Sequence, residues 1–272
     1  MHKLLPGAAI GVTLGFSLAS AMPALSATLQ ALVNQPPVSL GQPFLLTDGR
    51  VMFQANDGTD WYALTPDASG GYLAGNWKQL ASLPMAWNYG PYAFASAVLA
   101  DGRVLIEGGE YSLGGPFSLT NVGAIYDPVA DSWSQVAPPP GWDFIGDSAS
   151  IVMPNGKFLL GDKLTERIAE LDPATLTWTE LGSLGKADFN AEEGWTLLPD
   201  GTFLTVDVKN GPATERYLYT DAAGAGHWTS AGSTPVVLPW NFGAAPVPFA
   251  GGTYTPPGET GPCILRPNAP VF

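Results

Sequence analysis

Short apolar runs alternate with tight polar turns along most of this chain, and four of the turns share one spelling. They read Asp48-Gly49-Arg50, Asp101-Gly102-Arg103, Asn155-Gly156-Lys157 and Asp200-Gly201-Thr202. Each separates two runs that a strand would bury, as Ser96-Ala97-Val98-Leu99 and Val104-Leu105-Ile106 flank the second turn. Downstream of each comes a tryptophan: Trp77, Trp133, Trp178 and Trp228. The turns are spaced by 53, 54 and 45 residues, and a spacing held near 50 is the signature of a repeat architecture.

The second unit shows the parts in full. After its hairpin comes a third strand, Val122-Gly123-Ala124-Ile125-Tyr126, and Asp127-Pro128-Val129-Ala130-Asp131 then turns into a fourth at Ser132-Trp133. Asp-Gly supplies the positive φ of a two-residue hairpin turn. In the other turn Pro presets φ while Asp bonds local N–H groups. The runs Phe158-Leu159-Leu160 and Thr196-Leu197-Leu198 are apolar without alternation, which predicts strands covered on both faces. Helical periodicity is lacking throughout. The pattern therefore predicts an all-β chain of four-stranded units at about 38–84, 93–138, 147–182 and 192–236.

These units resemble the kelch repeat, in which an apolar strand and a double glycine precede a tyrosine and a tryptophan with six residues between them. Unit two carries Gly108-Gly109, Tyr126 and Trp133. Unit three keeps the spacing with Leu171 and Trp178, while Tyr219 to Trp228 and Leu64 to Trp77 are longer. The run from Glu107 through Trp195 is similar to a group of exported bacterial kelch-type proteins. The resemblance covers about residues 38–272 and implies a β-propeller, in which blades stack face to face. Gly261 to Asn268 aligns with a first strand and turn, so 259–272 is expected to begin a fifth blade of an incomplete propeller.

Composition supports this and narrows the function. Gly 33, Pro 26 and 13% charged residues suit many short strands joined by turns. With 24 Asp+Glu against 11 Lys+Arg, the chain repels phosphate backbones and anionic lipid, which argues against nucleic-acid partners. Residues 1–27 read as a cleaved signal peptide: His2 and Lys3, an apolar stretch from Leu4 to Leu18 too short to span a bilayer, then Ala19-Ser20-Ala21 or Leu25-Ser26-Ala27 for cleavage. A secreted or periplasmic protein without membrane insertion is expected. Cys263 is the single cysteine, so packing and not an internal disulfide must hold the fold.

Within a blade, the turns between strands one and two and between three and four share one face, and the longer connections share the other. Those connections hold Trp87-Asn88-Tyr89, Glu110-Tyr111, Trp142-Asp143-Phe144, Asp147, Asp188-Phe189-Asn190, Glu192-Glu193 and Trp240-Asn241-Phe242. Aromatic faces beside carboxylates and amides are what a sugar ring and its hydroxyls require. Trp87, Trp142, Glu193 and Trp240 are accordingly the candidate ligand-binding residues, although a tryptophan there also suits a plug between blades. Adjacent Glu192 and Glu193 point to opposite sides of an extended backbone. An acid pair for glycoside chemistry would therefore need a partner such as Asp147 or Glu107.

The kelch superfamily includes galactose-oxidase-like copper radical enzymes, which use two histidines, tyrosines and a cysteine joined to a tyrosine. This chain has His2, within the signal, and His227. One histidine does not make that site, so no metal or cofactor is expected of these residues. The expected role is an exported module that binds a glycan or another exported protein. The alternative is part of a carbohydrate-active propeller enzyme, either an oxidase or a glycosidase or lyase.

Overall fold

The computed structural model describes residues 30–220, 222–235, 247–249 and 252–254. The chain divides into a short unit, Met1–Ala31, and a second, Leu32–Phe272, that carries every described strand. The signal expected at 1–27, the blade start at 259–272, Trp240 and Cys263 lie outside the described residues.

Four four-stranded antiparallel sheets follow one another. Blade 1 is β1 (Leu40–Leu45), β2 (Val51–Ala55), β3 (Trp61–Thr65) and β4 (Asn76–Gln79). A short strand β5 (Pro91–Tyr92) precedes blade 2, which comprises β6 (Ala95–Val98), β7 (Val104–Glu107), β9 (Gly123–Asp127) and β10 (Ser132–Val136). The intervening β8 (Tyr111–Ser112) leaves the blade and pairs with β5 instead. Blade 3 is β11 (Ser150–Val152), β12 (Phe158–Gly161), β13 (Ile168–Asp172) and β14 (Thr177–Leu181). Blade 4 is β15 (Thr196–Leu197), β16 (Phe203–Val206), β17 (Ala213–Leu218) and β18 (His227–Ser233). A two-stranded ladder of β19 (Val247–Phe249) and β20 (Gly252–Tyr254) comes last among the described elements. Among the described residues the fold is all-β, with successive four-stranded blades of a β-propeller.

Burial follows strand position. All four residues of β7 and of β12 are buried, as a strand covered on both faces must be. The outermost strands are mostly exposed, β10 burying only Trp133 and Val136. The expectation of burial fails at β15, where Thr196 and Leu197 are both exposed. That strand pairs at only two positions, and the core beside it is filled by Trp195, Phe203 and Tyr217 instead.

The four repeat turns share one geometry. Asp48, Asp101, Asn155 and Asp200 each accept the backbone N–H two residues on, at 3.0, 3.0, 3.1 and 3.2 Å. Only the glycine has positive φ, between 81° and 88°, and the N–H of Leu46, Leu99, Met153 or Leu198 reaches across the loop. This corrects the two-residue turn read from Asp-Gly. A mirror-image turn needs positive φ at both central residues; here a type I turn followed by a left-handed glycine makes a three-residue loop.

Three apolar cores lie between successive blades: Met52, Trp61, Val104 and Tyr126 in the first, Leu105, Ile145, Phe158 and Leu171 in the second, Leu159, Phe203 and Tyr217 in the third. Three of the four repeat tryptophans latch a blade to the preceding segment through the indole N–H, whereas that of Trp228 is buried without a partner among the described residues. Trp133 donates to Ala81 O at 2.9 Å and Trp178 to Ala137 O at 2.6 Å, each carbonyl lying just past the outer strand of the blade before. Trp77 does the same to Asn34 O at 2.9 Å.

The double glycine is where two loops meet. Gly108 has φ 73°, and a Cβ there would stand 2.4 Å from Gly146 O. Gly108→Ala is expected to cost about 2–3 kcal/mol, from left-handed backbone strain plus overpacking. Urea titration checks it, and an unchanged midpoint would contradict the close approach.

Candidate functional site

The long connections carry two buried lysines, each ringed by carboxylates. Lys163 lies in the loop between β12 and β13, with its side chain 2% exposed. Its ammonium donates to Glu110 Oε1 at 2.6 Å, to Asp147, and to Glu192 Oε1 at 3.3 Å. Glu110 comes from the excursion between β7 and β9, Asp147 from the connection between blades 2 and 3, and Glu192 from that between blades 3 and 4. Three separate loops thus converge on one cation. Glycine makes room for it: a Cβ at Gly146 would stand 2.8 Å from Lys163 Cδ.

Burial alone would push the Lys163 ammonium down, but hydrogen bonds to Asp147 and Glu110 outweigh it and hold the group charged. Burial also raises two of the acids, Asp147 and Glu192. Asp147 is pushed up to about 6, opposed by Lys163 and reinforced by Glu110. Glu192 is pushed up to about 7 by burial, with Asp147 adding to the effect and Lys163 opposing it. The oxygens of Glu110, Asp147 and Glu192 lie within 4.8 Å of one another. Such a cluster can accept several hydrogen bonds, neutralise a cation, or pass a proton near neutral pH.

The second lysine, Lys186, sits between β14 and β15 with a fully buried side chain. It donates to Asp188 at 2.8 Å, Glu193 at 2.7 Å and Glu215 at 2.8 Å, and lies 4.8 Å from the centre of the Trp228 ring. Burial pushes Glu193 up to about 8, opposed by Lys186. Adjacent Glu192 and Glu193 therefore serve different clusters, one at each lysine.

The sequence candidates fall as follows. Glu193 is buried in the Lys186 cluster. Trp142 is 3% exposed and packs in the core between blades 2 and 3, with the Arg167 guanidinium 5.3 Å from its ring centre; this is a plug's position. Trp87, in a short 3-10 turn Met85–Trp87, is half-buried against the first core. Glu107 joins neither cluster: it is fully buried beneath Gly123, and burial raises it well above the usual carboxylate range. Asp147 and Glu192 are brought together, as the acid-pair reading required of some partner.

Sequence reasoning did not single out Lys163, Lys186, Asp207 or Glu215. A signal was present: lysines are few in this chain, and Lys163 and Lys186 both stand in connections of the long-loop face. Tyr111 was noted beside Glu110, but its aromatic partner Phe117 was not. Tyr111 and Phe117 are 39% and 55% exposed and meet edge to face at 5.9 Å. The opposite face has a shallow groove between blades 2 and 3, lined by Asp101, Asn155, Lys157 and Asp172, without a comparable cluster.

No protein family matches the chain by sequence, and no curated protein does. Solved structures match it in fold. A fungal alcohol oxidase of the AA5 family in complex with copper superposes with a TM-score of 0.57 at 16% identity, over 73% of this chain and 42% of that one. YjhT, a kelch-type propeller, gives 0.51 at 16% identity, over 74% and 68%. The catalytically inactive virginiamycin B lyase of Staphylococcus aureus with quinupristin gives 0.50 at 15%, over 76% and 59%. The chain thus spans less than half the length of the oxidase. At such identities the likeness is one of fold. The donors present do not fit the copper of the oxidase: among the described residues the one histidine is His227, exposed on the outer strand of blade 4. The clusters offer oxygens, which suit hard cations and hydroxyl groups instead.

Proposed function

We propose that the protein is an exported binding module whose long-loop face takes a hydroxyl-rich ligand, a glycan, at the Lys163 cluster and the aromatic pair next to it. The observation that carries this reading is the convergence of Glu110, Asp147 and Glu192 on Lys163, with exposed Tyr111 following directly on Glu110. Carboxylates accept hydrogen bonds from sugar hydroxyls, and an exposed ring offers the apolar face of a pyranose its platform. Export rests on the signal read at 1–27.

The test is a glycan array followed by calorimetry on the full chain. A double variant, Tyr111→Ala with Phe117→Ala, is expected to bind at least about tenfold more weakly, each ring contributing on the order of 1 kcal/mol. Its melting temperature should stay put, because both rings are exposed. Unchanged affinity would remove the aromatic pair from the site.

A catalytic reading has its own support, the two acids of the cluster raised toward neutrality. One protonated and one ionised carboxyl would then act as general acid and base on a glycosidic bond. Turnover of a polysaccharide, reduced at least about 100-fold in Asp147→Asn, distinguishes it from binding alone.

A further inference from the structure

The geometry points to a divalent-cation site at the junction of blades 3 and 4, formed by Asp188, Asp207 and Glu215 and suited to calcium. It is independent of the glycan reading. Asp188 comes from the connection into blade 4, Asp207 directly follows β16, and Glu215 lies in β17. All three are buried, and one carboxylate oxygen from each lies within 4.8 Å of the others.

The Asp207 carboxylate has the strongest need for a ligand. The residue is 2% exposed, no donor among the described residues reaches either oxygen, and its carboxyl meets that of Glu215. Lys186 reaches Asp188, Glu193 and Glu215 but not Asp207. In the Lys163 cluster, by contrast, the ammonium contacts all three acids. With Asp188, Glu193, Asp207 and Glu215 ionised against one ammonium, the Lys186 cluster carries a formal charge of −3 in a buried place. A divalent cation offsets most of it.

The three carboxylate oxygens lie close enough to share one ion, and an all-oxygen ligand set suits a hard cation such as calcium. Two of the ligands are held in place from behind: Asp188 Oδ2 accepts the Lys209 N–H at 3.0 Å and Glu215 Oε1 accepts the Ala187 N–H at 2.8 Å. The competing occupant is a proton.

The experiment uses the full chain, freed of metal with EDTA, at pH 7.5. Added calcium chloride at about 100 times Kd should raise the melting temperature by about 5–10 °C, with one ion bound per chain by elemental analysis. Asp207→Asn should fold, since its amide can bond Glu215 as a protonated acid would, yet lose the calcium response. No calcium-dependent shift in the natural protein overturns the site and leaves a shared proton as the occupant. A full response retained in Asp207→Asn overturns the assignment of Asp207.

Discussion

Replacing Lys186 by methionine is expected to cost the protein about 3–5 kcal/mol at pH 8 in EDTA, the range for stripping one partner from a buried ion pair. The side chain is fully buried and its ammonium bonds three carboxylates at 2.7–2.8 Å. Methionine removes the ammonium and leaves the carboxyls of Asp188, Glu193, Asp207 and Glu215 facing one another without a cation. The cost should shrink toward pH 5. Burial already pushes Glu193 up to about 8 and Asp207 up to about 7, and loss of the ammonium raises both further. A carboxyl whose folded pKa exceeds its unfolded one binds more protons when folded. Its contribution is therefore full below the unfolded value near 4 and is lost as pH rises through the folded value. Urea midpoints of variant and natural protein from pH 5 to pH 8 check this. A gap that does not change with pH would assign the loss to packing and not to charge.

The natural protein should show the same slope in milder form, losing stability from about pH 5 to pH 8. The outer turns bound the other side. Asp48 and Asp101 feel some burial, but hydrogen bonds from Arg50 and Arg103 outweigh it and hold both carboxyls below their ordinary values. Groups of that kind contribute above the unfolded pKa and lose their effect as pH falls through the folded one. They are partly exposed, so solvent screening keeps their share small.

What was legible in the sequence is what local chemistry decides. An Asx-Gly pair sets a turn through its own side chain and one positive φ, so all four repeat turns stand where the spelling places them. Apolar runs such as Phe158-Leu159-Leu160 mark strands because their burial follows from strand position. The clusters were not legible, because their members meet only once the blades are stacked. Lys163 finds Glu110 53 residues away, Asp147 at 16 and Glu192 at 29. Aromatic residues were ambiguous for a related reason. A loop tryptophan reads the same whether it fills a gap or faces a ligand, and Trp142 lies in the core while Tyr111 and Phe117 lie outside it. Glu192 and Glu193 are the intermediate case: their divergence is local, but its destinations are not.

Trp133→Ala should destabilise the fold by about 3–5 kcal/mol, the range for truncating a large buried ring. The residue is 8% exposed, its ring lies 5.1 Å from those of Trp61 and Tyr126, and its N–H holds Ala81 O at 2.9 Å. Trp61 belongs to blade 1 and Tyr126 to blade 2, so the ring is shared by both faces of one junction. Alanine opens a cavity that stacked sheets cannot close without sliding the blades, and it removes the latch to the preceding segment. Trp133→Phe separates the two effects, because it keeps most of the ring area and loses only the hydrogen bond, worth about 1 kcal/mol. The expected order in urea is natural protein, phenylalanine, alanine, with the larger step second. If phenylalanine costs as much as alanine, the indole N–H and not ring packing holds the blades together. A cost below about 1 kcal/mol for alanine would place Trp133 outside the junction altogether.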